Sequence, residues 1–109
     1  MLEMTQYDNP KEIIENSSLC ILLYGSKTCA PCHAIRQRID EWIKEYTQAV
    51  SYYIDIEKLS VFSAQSGIFS TPSVRVFMEG IPVIEKSGYF SLEEIFINIR
   101  RLCDLRDQP

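Results

Sequence analysis

The sequence predicts a single α/β domain over residues 1–109, with a central mixed β-sheet flanked by helices. Three observations predict it. The run Leu19-Cys20-Ile21-Leu22-Leu23-Tyr24 is continuously apolar, the pattern of a strand covered on both faces. A long amphipathic segment follows and then a second strand-like run, Val50 to Ile56, so that strand, helix and strand form a right-handed βαβ unit. Farther on, two strand-like runs joined at Glu79-Gly80 read as a β-hairpin.

Each element has its own local justification. Glu3 to Tyr7 reads as a short edge strand. Asn9-Pro10-Lys11-Glu12 opens a short helix, with an Asn cap, Pro at the first helical position and Glu three residues after the cap. Ile13 and Ile14 anchor it, and Asn16-Ser17-Ser18 ends it. The second helix, Pro31 to Tyr46, carries Ile35, Ile39, Trp42, Ile43 and Tyr46 as one apolar stripe, with Arg36, Arg38, Asp40, Glu41, Lys44 and Glu45 elsewhere. Glu57 to Ser66 is a weaker helix with Leu59 and Phe62 inward, stopped at Gly67. The hairpin pairs Ser73–Met78 with Pro82–Lys86. Ser91-Leu92-Glu93-Glu94 is a capping box for the last helix, whose apolar face is Leu92, Ile95, Phe96, Ile99, Leu102 and Cys103. Arg106 to Pro109 reads as a frayed tail.

Composition narrows the function. With 109 residues, 46% apolar and 24% charged, the chain has the make-up of an ordinary globular domain able to bury a core. A net charge of −4 and the lack of a Lys/Arg cluster argue against a nucleic-acid partner. No apolar run is long enough to span a bilayer, so no membrane partner is expected. Met1 to Asn16 has neither a basic start nor a long apolar stretch, and no signal peptide is visible. Four cysteines in such a chain imply a reducing cytoplasm, where a Cys-x-x-Cys is more often catalytic than structural.

Cys29-Ala30-Pro31-Cys32 carries the chemistry. Both thiols fall at the start of the second helix, where unpaired backbone N–H groups and the helix dipole favour negative charge. A thiol placed there loses its proton more readily, and the thiolate is the form that attacks disulfides. The spacing puts both sulfurs on one helix face, within reach of a mutual disulfide. Pro31 has no N–H to leave unpaired at a helix start. A zinc site would need four ligands, but Cys20 and Cys103 stand alone, and His33, next to Cys32, points to another side of the helix. As a structural bridge the pair would close too short a loop to restrict the unfolded chain much. His33 reads as a solvated helix residue whose charge modulates the thiols, and Cys20 and Cys103 as inert core thiols.

The order of elements, together with Cys29-Ala30-Pro31-Cys32 after a buried strand, the later Thr71-Pro72, and Gly80 and Gly88 flanking the last strand, resembles the thioredoxin family over nearly the whole chain. The resemblance implies a thioredoxin-like fold with Pro72 in the cis form facing the dithiol. It implies a thiol–disulfide oxidoreductase with Cys29 as the exposed nucleophile and Cys32 as the buried resolving thiol. The substrate surface would comprise Thr28, Ala30, Pro31, Thr71, Pro72 and Gly88, with Tyr89 at its rim. The partners would be protein or small-molecule disulfides and an unidentified reductase, with no cofactor and no metal.

This chain also departs from the family pattern. Thr28 stands where the family usually has Trp, Ala30-Pro31 where it has Gly-Pro, and Ser70-Thr71 where it has Gly and an apolar residue. Leu23 replaces a buried acid and Tyr53 its lysine partner. A polar docking surface at Thr28, Ser70 and Thr71 would weaken apolar contact with generic partners and favour a dedicated one. Two further readings fit the same residues: a binding module with an idle dithiol, and a metal or iron–sulfur carrier using Cys29 from two subunits.

Overall fold

The computed structural model describes residues 1–108, so the expectation for the tail falls outside it at Pro109. All seven residues of strand β2 (Leu19–Gly25) are buried, and this sets the architecture. A strand without an exposed face needs a partner along each edge and a layer on each side. Its edges are met by β3 (Ala49–Asp55), parallel with Leu23 opposite Tyr53, and by β4 (Ser73–Met78), antiparallel with Leu23 opposite Val74. Outside these lie β1 (Leu2–Glu3), parallel to β3, and β5 (Ile81–Ser87), antiparallel to β4, giving the order β1-β3-β2-β4-β5. The sheet is mixed, as expected.

Side-chain alternation divides the apolar residues into two cores. Leu19, Ile21 and Leu23 face one with Ile39 of α2 (Ala30–Ile43) and Leu92, Ile95, Phe96 and Ile99 of α4 (Leu92–Arg106). Cys20, Leu22 and Tyr24 face the other, against which Ile13 and Ile14 of α1 (Pro10–Asn16) and Phe62 of α3 (Ser60–Gln65) pack. Each fully buried aliphatic side chain contributes about 1.5–3 kcal/mol, so both layers are held mainly by area removed from water. Both cap residues accept the backbone bond predicted of them, without the reciprocal bond to the glutamate side chain that would complete a capping box. The Asn9 side chain accepts from the Glu12 N–H at 3.2 Å, and the Ser91 hydroxyl accepts from the Glu94 N–H at 3.2 Å.

Several boundaries differ from those read in the sequence, and local hydrogen bonds explain them. The first strand is Leu2–Glu3 rather than Glu3 to Tyr7, because Thr5 and Asp8 close a turn: Thr5 N–H donates to the Asp8 carboxylate at 2.8 Å and Asp8 N–H to the Thr5 carbonyl at 3.1 Å. Helix α3 begins only at Ser60, because the Asp55 carboxylate accepts from Glu57 N–H at 2.9 Å and holds that segment in a turn. Helix α2 starts at Ala30, one residue early, and stops at Ile43 with Lys44 as its cap. Tyr46 keeps its place in the apolar stripe by stacking on Trp42, ring centroids 4.3 Å apart. Arg106 closes α4 instead of fraying from it.

The packing of α4 gives a direct test. Ile99 is fully buried, whereas Ile97 on the same helix is 55% exposed. Ile99→Ala is expected to cost about 2–5 kcal/mol in urea unfolding, and Ile97→Ala to stay within about 0.5 kcal/mol.

Candidate active site

Strand β2 ends at Gly25, and the chain turns through Ser26, Lys27 and Thr28 to reach the start of α2. Cys29 is the residue capping that helix, in extended conformation with no side-chain cap bond, and Ala30 and Pro31 are its first helical positions. The turn is closed by Cys29 N–H donating to the Ser26 carbonyl at 3.2 Å, and Cys32 N–H donates to the Cys29 carbonyl at 3.2 Å. Cys29 and Cys32 form a disulfide with Cα atoms 5.3 Å apart. No acidic residue lies in the first turn of α2, so nothing offsets the positive end of the dipole beside Cys29.

The resemblance implies an exposed Cys29, and here the structure differs. Cys29 is only 8% exposed and Cys32 fully buried. The bond to Cys32, itself a member of the core, holds Cys29 against the same apolar cluster. Access to the Cys29 sulfur is therefore narrow in the oxidised form.

The Thr71–Pro72 bond is cis. Pro72 is buried, and its carbonyl accepts from Gly88 N–H at 3.0 Å, which ties the loop before β4 to the loop after β5. Gly88 takes φ +75°, a conformation that side-chain-bearing residues avoid, so that loop turns here without strain. The result is a groove of about 370 Å³ lined by Pro31, Ile35, Thr71, Pro72, Gly88, Tyr89 and Phe90. Four of the expected surface residues, Pro31, Thr71, Pro72 and Gly88, thus meet in one groove. Thr28 and Ala30 are exposed beside the dithiol but do not line it. Of Thr28, Ser70 and Thr71 only Thr71 lines the groove, whose walls are mostly apolar or aromatic. Ile35 and Phe90 were not singled out in the sequence as groove residues; Ile35 belongs to the helix stripe, and nothing local marks Phe90. Tyr89 is fully exposed at the rim.

Beneath the site, Leu23 is fully buried and Tyr53, its neighbour on β3, is 5% exposed. The Tyr53 hydroxyl donates to the Ser26 carbonyl at 3.4 Å, and the Arg36 guanidinium lies 4.7 Å from the centre of its ring. Burial, and next the Asp55 carboxylate, raise the Tyr53 pKa, only partly opposed by Arg36, so the phenol stays a donor. His33 is exposed on α2. Cys20 and Cys103 are free and buried, and among the described residues no three His, Cys, Asp or Glu side chains gather as a metal site requires. No described helix is long and apolar enough to cross a membrane.

Comparison with known proteins agrees with this geometry. The family model for Thioredoxin matches residues 1–101. The chain is 26% identical over 78 residues to Thioredoxin-1 of Schizosaccharomyces pombe, spanning 72% of this chain and 76% of that protein. It is 33% identical over 73 residues to NADPH-dependent thioredoxin reductase 3 of Arabidopsis thaliana, 66% of this chain but 14% of that larger protein. A solved Plasmodium falciparum thioredoxin superposes with a TM-score of 0.79 at 24% identity, covering 90% of this chain and 98% of the other, a likeness of fold.

Burial pushes the Cys20 thiol from 9.0 up to about 12. The unfolded chain therefore releases this proton first, so the stability that the neutral thiol protects is fully present below about pH 9 and is lost as pH rises toward 12. Cys20→Val is expected to flatten the alkaline fall of the urea midpoint relative to wild type, with the two curves parallel below pH 8.

Proposed function

The chain belongs to the thioredoxin family, and from that premise we propose that it reduces disulfides in proteins and small molecules, with Cys29 as the attacking thiol and Cys32 as the resolving one. The observation that carries the reading is the disulfide-bonded Cys29–Cys32 pair at the start of α2, beside a groove that contains Pro31 and cis-Pro72. In the reduced protein the Cys29 thiolate attacks a substrate disulfide. One sulfur–sulfur bond breaks, a new one joins Cys29 to the substrate, and the first substrate sulfur leaves as a thiolate. Cys32 gives up its proton and attacks the Cys29 sulfur, releasing the second substrate thiolate. The substrate gains two electrons and two protons, and the Cys29–Cys32 bridge is restored.

The groove supports docking of a substrate segment. Pro31, Ile35, Pro72 and Phe90 offer apolar contact, while Thr28 and Ala30 border the dithiol outside it. Electrons return through a separate reductase of the NADPH-dependent thioredoxin-reductase class, which would engage the same apolar walls. Two unpaired cysteines, Cys20 and Cys103, suit a reducing compartment such as the cytoplasm. An insulin-reduction assay with dithiothreitol tests the reading: catalysed precipitation of the insulin chains is expected, and none with Cys29→Ser. Wild-type protein that leaves the uncatalysed rate unchanged would show an idle dithiol. NADPH consumption with a thioredoxin reductase then tests the electron donor.

The roles of the two cysteines make a sharper prediction. In the reduced protein iodoacetamide should modify Cys29 before Cys32, Cys20 or Cys103, and Cys32→Ser should accumulate mixed disulfides with substrate. Mass spectrometry of partly alkylated protein that finds another cysteine modified first would reverse the assignment.

A second prediction follows from Leu23. Leu23 puts an apolar side chain under the site where a carboxylate could take the Cys32 proton, and burial disfavours the Cys32 thiolate. Resolution of the mixed disulfide should be slow near neutral pH and accelerate as pH rises. In single-turnover reduction, Leu23→Asp should speed that step at pH 7 by about 10²-fold, the lower end of what a positioned base supplies. An unchanged rate would make the missing acid irrelevant.

A further inference from the structure

The Ser26 carbonyl receives two donors, Cys29 N–H at 3.2 Å and the Tyr53 hydroxyl at 3.4 Å. A carbonyl has two lone pairs, so it can hold both at once. One of these bonds closes the turn that delivers Cys29 to the helix start, and the other ties that turn to the sheet. A separate feature shows that room has been kept for the phenol. A Cβ on Gly25 would lie 2.4 Å from the Tyr53 hydroxyl oxygen and 2.9 Å from two ring carbons, distances that real side chains do not reach. Gly25 ends β2 and begins the turn, so its missing side chain is what lets the hydroxyl reach the turn from below. Arg36 of α2 lies over the same ring, 4.7 Å from its centre, and its guanidinium also donates to the Met1 carbonyl at 2.9 Å. Tyr53 is thus held between the end of β2 and the helix that carries both cysteines.

We propose that Tyr53 is a positioning residue for the dithiol: its hydroxyl, seated over Gly25 and backed by Arg36, fixes the Ser26–Cys29 turn and so the placement of the Cys29 sulfur at the start of α2. The benefit of a helix start to an anion falls off within the first turn, so a small drift of the turn weakens it. The proposal rests on Cys29 being the attacking thiol. It adds that a neutral hydrogen bond to the Ser26 carbonyl holds, from below, the turn that carries that thiol. The charged groups around Tyr53 are Arg36 on α2, Asp55 on β3 and Glu3 on β1. Tyr53→Phe alters none of them and leaves the ring in place for Arg36.

The test is the pH profile of Cys29 alkylation by iodoacetamide in reduced wild type, Tyr53→Phe and Arg36→Lys, with thermal melting of each. Tyr53→Phe is expected to melt near wild type, to lose about three- to tenfold in alkylation rate at pH 7, the worth of one net hydrogen bond, and to move the profile to higher pH. Arg36→Lys keeps the charge while withdrawing the planar group from the ring, and should move the profile the same way. Profiles of both variants superimposed on wild type would overturn the proposal, as would a lower rate in Tyr53→Phe with an unmoved midpoint, because that reports only hindered access. Alkylation needs no disulfide substrate. Superimposed profiles would therefore leave the oxidoreductase reading standing, whereas an inactive wild type in the insulin assay would strike that reading alone.

Discussion

The burial of β2 on both faces is the constraint on which the rest of the molecule depends. Its seven residues expose nothing, so helices must cover both sides and strands must flank both edges. The same strand aims the chain. Gly25 ends it at the rim of the sheet, and the turn from Ser26 to Cys29 starts α2 directly above the core that contains Leu23 and Tyr53. Packing and chemistry meet at one end of one strand, and both cysteines of the dithiol belong to the core beside it.

The site is assembled from three chain segments that are remote in sequence. Helix α2 contributes the disulfide and Ile35, the cis Thr71–Pro72 step brings a buried proline, and the loop after β5 adds Gly88, Tyr89 and Phe90. The hydrogen bond from Gly88 to Pro72 joins the second and third of these. These segments together set an apolar groove beside a sulfur to which access is narrow.

Much of this was legible in the sequence because it is written in local physics. Asn9 and Ser91 announce helix starts through the shape of their own side chains, and the short continuous apolar run of β2 has the pattern of a doubly covered strand. Cys29 and Cys32 are recognisable from spacing and from what precedes and follows them. What was not legible depends on contacts between distant residues. Phe90 has no local mark that separates it from any exposed aromatic, and Ile35 reads as one more member of a helix stripe. Thr28 and Ser70 lie outside the groove that Thr71 lines, and adjacency in sequence does not say which side chains turn toward a groove. Tyr53 was visible as a departure from the family pattern, but its bond to Ser26 and the space left by Gly25 exist only in three dimensions.

Both edge strands of the sheet carry features that discourage pairing with a further strand. On one side β1 is only two residues long. On the other, β5 carries Pro82, which has no N–H to offer a neighbour, the charges of Glu85 and Lys86, and a bulge opposite Val76 and Phe77 that breaks its regular spacing. Such edges offer a poor template for a sixth strand, which leaves the sheet at five.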